Sequence, residues 1–203
     1  MRFWIVGGGT GGHVYPALSA AQALQAIAPE SRLTWVGTDD GMEAELVTRH
    51  DIAFIGLPGG GLHGIRLLNA VRNGWDLARA TFVARRHLRR ERPSAILTTG
   101  GYVSGPVALA ARWAGTPLMV FLPDVEPAQS VRFVGTMAQR VATTVEASTS
   151  YFAGDKAVVT GYPLGPRVTE WDREQGREAL GLPADARVLL DRKSTRLNSS
   201  HYS

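Results

Sequence analysis

The sequence has 203 residues, of which 44% are hydrophobic and 20% are charged, a size and composition typical of one soluble globular domain. It contains no cysteine, which excludes disulfide bonds and thiolate chemistry and fits a cytosolic protein. The net charge is only +4. The longest apolar stretch, residues 107–122, is broken by Arg112 and Pro117, so we expect no membrane-spanning helix. The chain starts directly with a strand pattern, and we therefore expect no signal peptide.

The first predicted element is a short apolar strand that leads directly into a glycine-rich turn. Residues 3–6 are apolar, five of the six residues 7–12 (the first glycine turn) are glycine, and a helical pattern runs from Ala17 to Leu24. A strand, a glycine turn and a helix present bare N–H groups and a helix N-terminus to an anion. Glycine suits this place because a Cβ would block a phosphate from the main chain. The pattern predicts a phosphate or diphosphate site with His13 at its edge.

The same turn also satisfies the dinucleotide-binding pattern, with Gly7, Gly9 and Gly12 at the required spacing. Asp39 follows the second apolar run, where an acid that binds a ribose would stand. The P-loop pattern is excluded, because no Lys-Ser or Lys-Thr pair follows the glycines. Two alternatives stay open: a dinucleotide site, and a tight turn with no ligand. His13 is correspondingly either a catalyst or a capping or solvated residue.

Strands and helices alternate along the rest of the sequence. Apolar runs predict strands at 32–37, 52–57, 95–98, 118–122, 141–145 and 157–160. Helical patterns are predicted at 41–47, at 65–92 with Gly74 as a potential break, up to Trp113, and at 127–139. This alternation predicts an α/β fold, a Rossmann-like, doubly wound parallel sheet.

A second glycine-rich turn, residues 100–106 (the second glycine turn), follows the strand predicted at 95–98. It reads Gly-Gly-Tyr-Val-Ser-Gly-Pro. Ligands of open α/β sheets bind at the carboxyl ends of the strands, where both glycine turns are expected. One such turn can be accidental, but two indicate a binding site.

The end of the chain departs from the alternating pattern. Residues 174–182 predict a helix, and Arg187 begins a pattern typical of a further strand. Residues 191–203 are polar and unlike everything before them, and we interpret them as a sequencing or cloning scar. We therefore predict a domain over residues 1–165, a linker and the start of a missing domain over residues 166–190, and a non-native tail.

Three motifs carry a resemblance to a known family. They are Gly-Gly-Thr-Gly-Gly-His-Val-Tyr-Pro at 8–16, Trp-Val-Gly-Thr at 35–38 with Gly-Met-Glu-Ala-Glu at 41–45, and the second glycine turn. From Met1 to about Leu190 the chain resembles the N-terminal domain of the MurG family, the N-acetylglucosaminyltransferases of peptidoglycan synthesis. The resemblance implies the N-terminal half of a GT-B fold, with the C-terminal domain and its own glycine loop missing.

The resemblance implies an inverting hexosyl transfer. The family moves N-acetylglucosamine from UDP-N-acetylglucosamine to the C4 hydroxyl of muramyl-pentapeptide on undecaprenyl diphosphate, converting lipid I to lipid II. The donor binds mainly to the C-terminal domain, so we expect this chain to bind the acceptor and to be inactive alone. The resemblance further implies no cofactor, no metal, and a peripheral place on the cytoplasmic face of the cell membrane.

The resemblance also implies roles for individual residues. His13 matches the loop histidine of the family and is expected to take the proton from the acceptor hydroxyl, since histidine exchanges protons near neutral pH. The donor sugar is expected beside Thr10, Gly11 and Gly12. The acceptor diphosphate is expected beside Gly100, Gly101, Tyr102 and Ser104.

Two positions depart from the family pattern. Asp124 stands where the family has an asparagine that touches the donor, and a carboxylate cannot donate a hydrogen bond as an amide does. Gly165 stands where the family has an arginine, and Arg167 is the nearest substitute. These changes indicate a divergent branch in which the donor contacts are altered.

Positive charge is concentrated in residues 66–92, which contain eight arginines against Asp76 and Glu91. Apolar residues are interleaved with the arginines, as in a helix that lies on an anionic membrane surface. The residues predicted to face the membrane are Leu67, Leu68, Trp75, Arg85, Arg86 and Arg89. The alternative is that the apolar face packs on the sheet and the arginines are solvated. We expect no nucleic-acid binding, because aromatic stacking residues are few.

Two other functions stay open from the sequence. One is a non-catalytic, membrane-associated module that pairs with a separate donor-binding chain. The other is an NAD(P)-dependent oxidoreductase domain built on the first glycine turn. The second glycine turn argues against the oxidoreductase.

Overall fold

The computed structural model describes residues 1–39, 41, 43–58, 67–165, 168 and 170–189, and the side chains of all of these except 67–73. The strands of this part are β1 (Arg2–Val6), β2 (Arg32–Thr38), β3 (Ala53–Leu57), β4 (Ala95–Thr98), β5 (Leu118–Leu122), β6 (Arg140–Thr143) and β7 (Ala157–Val159). They form one parallel sheet in the order β3-β2-β1-β4-β5-β6-β7.

The helices are α1 (Gly11–Ile27), α2 (Glu43–Thr48), α3 (Leu67–Glu91), α4 (Ser104–Ala114), α5 (Gln129–Met137) and α6 (Arg173–Ala179). Two short 3₁₀ helices, Glu146–Tyr151 and Gly154–Lys156, precede β7. The predicted α/β, Rossmann-like fold is confirmed. Among the described helices, none has the length and apolar character that a membrane span needs.

Both faces of the sheet are covered by helices, as expected for a doubly wound fold. On one face, Val14, Leu18 and Ala21 of α1 pack with Ile5 and Trp35. On the other face, α3, α4 and α5 pack against alternate residues of the same strands. This second cluster includes Trp4, Val6, Ala84, Leu88, Ile96, Val107, Val120, Val134 and Val141. The parallel strands are therefore buried on both faces, which explains why they read as continuous apolar runs.

The register of the central strands aligns the ends of β1 and β4. Val6, the last residue of β1, pairs with Val36 of β2 on one side and with Thr98 of β4 on the other. The chain order reverses between β1 and β4, so this pair is the topological switch point of the sheet. The loops that follow these two strands leave the same edge side by side, at the place where open α/β sheets bind ligands.

Several predicted boundaries differ from the structure. Helix α1 begins at Gly11 rather than near Ala17, because Thr10 has an extended backbone and acts as its N-cap. The last part of the first glycine turn therefore belongs to the helix. Helix α3 continues through Gly74 without the potential break.

The predicted strand at Arg187 is wrong for the described residues, since 187–189 have no strand structure. The chain divides into two compact units, Met1–Pro166 and Arg167–Ser203. Within the second unit, Asp172 caps α6 by accepting a hydrogen bond from the Gln175 N–H at 2.8 Å. The tail predicted to be non-native, residues 191–203, lies outside the described residues, as does Leu190. The three predicted domain boundaries stay predictions.

Candidate functional site

The first glycine turn is tied to β2 by a buried tryptophan. The indole Nε1 of Trp35 donates a hydrogen bond to the carbonyl of Gly7 at 2.9 Å. A Cβ built on Gly7 would lie 2.8 Å from the Thr99 hydroxyl, and Gly9 has a φ of +85°. Glycine is thus required at position 7 by a close neighbour and at position 9 by the backbone conformation.

A buried carboxylate packs against the first glycine turn. Glu43 is fully buried, and its Oε1 accepts hydrogen bonds from Thr38 N at 3.0 Å and Thr38 Oγ1 at 3.1 Å. A Cβ on Gly8 would collide with this carboxylate, and a Cβ on Gly37 would lie 2.7 Å from it. Oε2 of Glu43 has no hydrogen-bond partner in the part of the chain that the structure describes. The sequence placed this residue on a short helix without indicating that its side chain turns inward.

Helix α1 presents its N-terminus at the end of the turn. Thr10 makes no side-chain cap, and its carbonyl accepts hydrogen bonds from His13 N and Val14 N. Within the described part of the chain, the N–H groups of Gly11 and Gly12 have no acceptor. Unpaired amides at a helix N-terminus are positioned to bind an anion.

Hydrogen bonds join the second glycine turn to Thr98 at the end of β4. The Thr98 and Ser104 hydroxyls lie 2.7 Å apart, and Gly100 N donates to Thr98 Oγ1 at 3.3 Å. Gly100 and Gly101 have φ values of +111° and +93°. Ser104 is 3% exposed, so its hydroxyl stabilises the turn in this structure. Its predicted contact with a diphosphate stays a prediction, which requires the bond to Thr98 to open.

The two glycine turns touch each other through their backbones. A Cβ on Gly101 would lie 2.5 Å from the carbonyl oxygen of Gly8. The ring of Tyr102 lies beside Gly9, where a Cβ would be 3.8 Å away. Both tyrosines of the region are exposed, Tyr102 in the second turn and Tyr15 in α1 next to Gly11. The turns therefore form one continuous surface of main chain between two aromatic rings.

His13 lies where the two turns meet. The side chain is half-buried, and its Nδ1 is 2.7 Å from the carbonyl oxygen of Thr99. A Cβ on Gly100 would lie 2.8 Å from the ring. Thr99, which the sequence did not single out, also donates its hydroxyl to the His13 carbonyl at 2.6 Å. The residues brought together at this junction are Thr10, Gly11, Gly12, His13, Gly100, Gly101 and Tyr102.

Asp124 lies at the same edge of the sheet, just beyond the end of β5. It is exposed, and its backbone carbonyl accepts a hydrogen bond from Ser148 Oγ at 3.4 Å. Phe121, at the end of the same strand, packs edge-on against Tyr162 with ring centroids 5.8 Å apart. Asp124 is thus near the predicted site along the sheet edge, and its carboxylate is open to solvent. Among the described residues, no group of acids and histidines could hold a metal ion.

A separate surface on α3 and α4 combines exposed aromatic rings and arginines. Its members, called the α3 surface below, are Trp75, Phe82, Arg85, Arg86, Arg89 and Trp113. Trp75 is 72% exposed, Phe82 69% and Trp113 63%. Trp75, Phe82, Arg86 and Arg89 recur at helical spacing on one side of α3. Phe82 and Trp113 were not among the residues predicted from the sequence to face the membrane.

The two helices of this surface are also joined by a cation–π contact. The Arg85 guanidinium lies 5.9 Å from the centre of the Trp113 ring. The other face of α3 carries Ala80, Ala84 and Leu88 into the core. The helix therefore packs on the sheet with one face and exposes aromatic and basic residues with the other. The side chains of Leu67 and Leu68, also predicted to face a membrane, lie outside the described residues.

Similar proteins were found at the level of sequence. The glycosyltransferase family 28 N-terminal domain matches residues 3–143. A relative from Symbiobacterium thermophilum, UDP-N-acetylglucosamine--N-acetylmuramyl-(pentapeptide) pyrophosphoryl-undecaprenol N-acetylglucosamine transferase, is 42% identical over 191 residues, 94% of this chain and 51% of the relative. The protein of the same name from Desulforudis audaxviator is 38% identical, with 94% of this chain and 51% of the relative covered. The chain spans about half the length of the curated relatives it matches.

Solved structures lead to the same group. MurG from Acinetobacter baumannii superposes with a TM-score of 0.68 at 30% identity, over 83% of this chain and 48% of that one. UDP-GlcNAc 2-epimerase from Neisseria meningitidis, bound to UDP-GlcNAc, superposes with a TM-score of 0.60 at 14% identity, over 80% of this chain and 46% of that one, which shows the fold alone. The sequence match over residues 3–143 covers more than half of the chain. The chain therefore belongs to glycosyltransferase family 28, of which it contains the N-terminal domain.

Proposed function

We propose that the chain is the acceptor-binding half of an inverting N-acetylglucosaminyltransferase. The donor is UDP-N-acetylglucosamine, and the acceptor is the C4 hydroxyl of muramyl-pentapeptide on undecaprenyl diphosphate, so that lipid I becomes lipid II. The names of the two relatives describe a transfer of this kind. Because the chain spans about half of their length, the activity requires a longer protein. That protein would act in peptidoglycan synthesis, and so in cell-wall biogenesis, cell shape and cell division.

The proposal rests above all on the backbone contact between the two glycine turns. The contact of Gly101 with Gly8 creates a side-chain-free surface at the switch point of the sheet. The N–H groups of Gly11 and Gly12 at the start of α1 are unpaired within the described ranges, and the helix dipole there favours negative charge. A diphosphate carries this charge and fits close to bare main chain. We therefore assign the acceptor diphosphate to Gly100, Gly101 and Tyr102.

His13 is proposed as the general base. The Nε2 atom would take the proton of the C4 hydroxyl while the oxygen attacks the anomeric carbon of N-acetylglucosamine. The bond from that carbon to the UDP oxygen breaks on the opposite face, so the configuration inverts and UDP leaves as the anion. The position of His13 between the two turns supports this role, because the base must be near the bound acceptor.

The donor sugar is proposed to lie beside Thr10, Gly11 and Gly12, with Asp124 accepting hydrogen bonds from its hydroxyls. No metal or other cofactor is needed in this scheme. Since the donor nucleotide is expected mainly in the missing half, the 203-residue chain should give no turnover with UDP-N-acetylglucosamine and a soluble lipid I analogue. Turnover by the isolated chain would contradict this division of labour.

The α3 surface is proposed to bind the anionic cytoplasmic face of the cell membrane. Its aromatic rings are exposed in the structure, and arginines lie at helical spacing beside them. This is the composition of an interfacial helix, in which the rings enter the headgroup region and the arginines contact lipid phosphates. Packing in the core and binding to a membrane are compatible roles for α3, because they use opposite faces of the helix. Such contact would bring the two glycine turns to a lipid-linked acceptor.

The oxidoreductase alternative finds no support in the site. The Glu43 carboxylate fills the space between Gly8 and Gly37. These glycines lie at the ends of β1 and β2, where a dinucleotide ribose would bind. The carboxylate of Asp39 instead lies against Gly56 of β3. No observation favours the alternative of a non-catalytic module.

A ligand titration of the 203-residue chain tests the proposed acceptor site. In ¹H–¹⁵N spectra, a short-prenyl lipid I analogue should shift the amides of residues 8–12 and 100–102. Inorganic diphosphate should shift a subset of the same amides, and NAD should shift none. Lipid I analogue shifts confined to other residues would overturn the assignment.

The role of His13 needs a protein with both halves. We suggest a chimera that joins residues 1–165 to the C-terminal half of the Symbiobacterium thermophilum relative. His13→Ala should lower kcat by about 100-fold or more, as expected for loss of a general base, with little change in thermal unfolding because the ring is only half-buried. Unchanged turnover in the variant would remove His13 from the mechanism.

A further inference from the structure

Thr99 makes three hydrogen bonds to the two residues that flank the first glycine turn, Val6 and His13. The residue follows β4 directly and is 1% exposed. Its N–H donates to the Val6 carbonyl at 3.0 Å, its carbonyl lies 2.7 Å from His13 Nδ1, and its hydroxyl donates to the His13 carbonyl at 2.6 Å. One buried residue is therefore bonded to both the ring and the backbone of a histidine far away in sequence.

These bonds determine which ring nitrogen of His13 carries the proton. A backbone carbonyl can only accept a hydrogen bond, so in a neutral imidazole Nδ1 must be the protonated nitrogen. Nε2 is then unprotonated and keeps its lone pair. The hydroxyl bond holds the His13 backbone, and the ring lies against the Cα of Gly100. Rotation of the ring away from this position would break the bond from Nδ1.

The neighbouring threonine has a different task. Thr98 bonds to Ser104 and to Gly100 N, both within the second glycine turn. Thr98 thus shapes its own turn, whereas Thr99 reaches across to α1. Because the two hydroxyls make different bonds, Thr99 can be substituted without removing the bonds of Thr98.

We propose that Thr99 is a positioning residue that holds His13 in the Nδ1–H tautomer, with Nε2 free to accept a proton. The carbonyl selects the tautomer, and the hydroxyl keeps the His13 backbone at the distance that this selection requires. The catalytic consequence rests on the proposed function of His13 as the base, whereas the tautomer itself does not. The two parts can therefore be tested separately.

The tautomer is measured on the 203-residue chain with ¹⁵N-labelled histidine, and His13→Ala identifies the signals. We expect a protonated Nδ1 and an unprotonated Nε2 at a pH where the ring is neutral. Thr99→Val removes the hydroxyl bond at nearly constant volume and should give a mixture of tautomers. Thr99→Ser keeps the hydroxyl and should behave like the unmodified chain. The matched control is Thr34→Val, which removes the hydrogen bond from the Thr34 hydroxyl on β2 to the Glu91 carboxylate at the end of α3.

The tautomer part is overturned if His13 carries its proton on Nε2, or if Thr99→Val leaves the tautomer unchanged. A Thr99→Val chain that does not fold shifts the decision to Thr99→Ser and to the unmodified chain. Retention of the Nδ1–H form in both would support the proposal, and a different tautomer in either would contradict it.

The catalytic part is measured in the chimera. Thr99→Val should lower kcat by about threefold to tenfold, the range expected for one hydrogen bond, with an unchanged KM for UDP-N-acetylglucosamine. Thr99→Ser should restore kcat, and Thr34→Val should leave it unchanged. An altered tautomer with unchanged kcat would overturn the positioning role. A chimera without any transfer, combined with the expected tautomer, would instead contradict the proposed function and leave the tautomer assignment standing.

Discussion

The site at the ends of β1 and β4 consists of backbone held by buried side chains, whereas the α3 surface consists of exposed side chains on two helices, α3 and α4. Trp35, Glu43 and Thr99 support the glycine turns, and their contacts with Gly7, Gly8 and His13 each join distant parts of the chain. The rings of Trp75 and Phe82 are carried by α3 and are exposed. Substitutions of the glycines or of the buried side chains that support them should therefore affect folding and ligand binding together, and substitutions on the α3 surface should affect membrane binding alone.

Gly101→Ala should have the largest effect on the site. The new Cβ would lie 2.5 Å from the Gly8 carbonyl, and the φ of +93° is unfavourable for alanine. Backbone strain and overpacking together should lower the free energy of unfolding by about 4 kcal/mol. Gly115→Ala is the matched control, since its φ is +68° but nothing lies near its Cβ. Its expected cost is about 1 kcal/mol, and equal losses in urea unfolding would show that the turns do not pack as described.

Glu43→Ala should be the next largest in effect. It removes the acceptor of two hydrogen bonds from Thr38 and leaves a cavity under Gly8. We expect a loss of about 3 kcal/mol in the free energy of unfolding. Glu43→Gln keeps an oxygen for both bonds, and its loss should be below about 1 kcal/mol. Chemical denaturation of both variants measures the difference, and an equally large loss in Glu43→Gln would mean that the charge itself is required.

The double variant Arg86→Gln/Arg89→Gln tests membrane binding by the α3 surface. Each arginine near an anionic membrane contributes about 1 kcal/mol, so binding to anionic vesicles should weaken by about 30-fold. Arg173→Gln/Arg187→Gln removes the same charge from exposed positions in the second unit and should change binding far less. Co-sedimentation with vesicles containing phosphatidylglycerol measures both. Equal weakening would indicate an effect of net charge rather than of the α3 surface.

Trp75→Ser and Phe82→Ser should have the smallest effect on folding. Both rings are exposed, so the free energy of unfolding should stay within about 0.5 kcal/mol of its original value. Vesicle binding should nevertheless fall, because the rings supply the apolar contact with the membrane. Trp75→Phe retains an aromatic ring and serves as the control. A large loss of stability would mean that these rings are part of the core.

Much of the sheet was predictable because its strands are short, buried and bounded by turns. The sequence predicted β4 and β5 to the residue, and β1 and β2 to within a residue at either end. Continuous apolar runs indicate buried parallel strands whatever their order. The start of α1 was missed because glycines at positions 11 and 12 disfavour a helix locally, and the tertiary structure overrides this preference.

The supports of the site were less predictable than its turns. Glu43 is a charged residue in a predicted short helix, where charged side chains are usually exposed, yet its side chain is fully buried. The role of Thr99 depends on a contact with His13, 86 positions away. Phe82 and Trp113 were not among the residues predicted to face the membrane, because hydrophobicity alone does not separate a core residue from a membrane-facing one. No local pattern carries this information.

The sequence by itself determined the kind of fold, the two glycine turns and their resemblance to one transferase family. Alternating apolar runs specify strands and helices locally, and glycines specify where the backbone is bare. The tertiary structure alone decided that the two turns touch, that Glu43 and Thr99 support them and that His13 lies between them. The physical reason is the sheet order, which places β4 beside β1 and so joins segments that are distant in the chain.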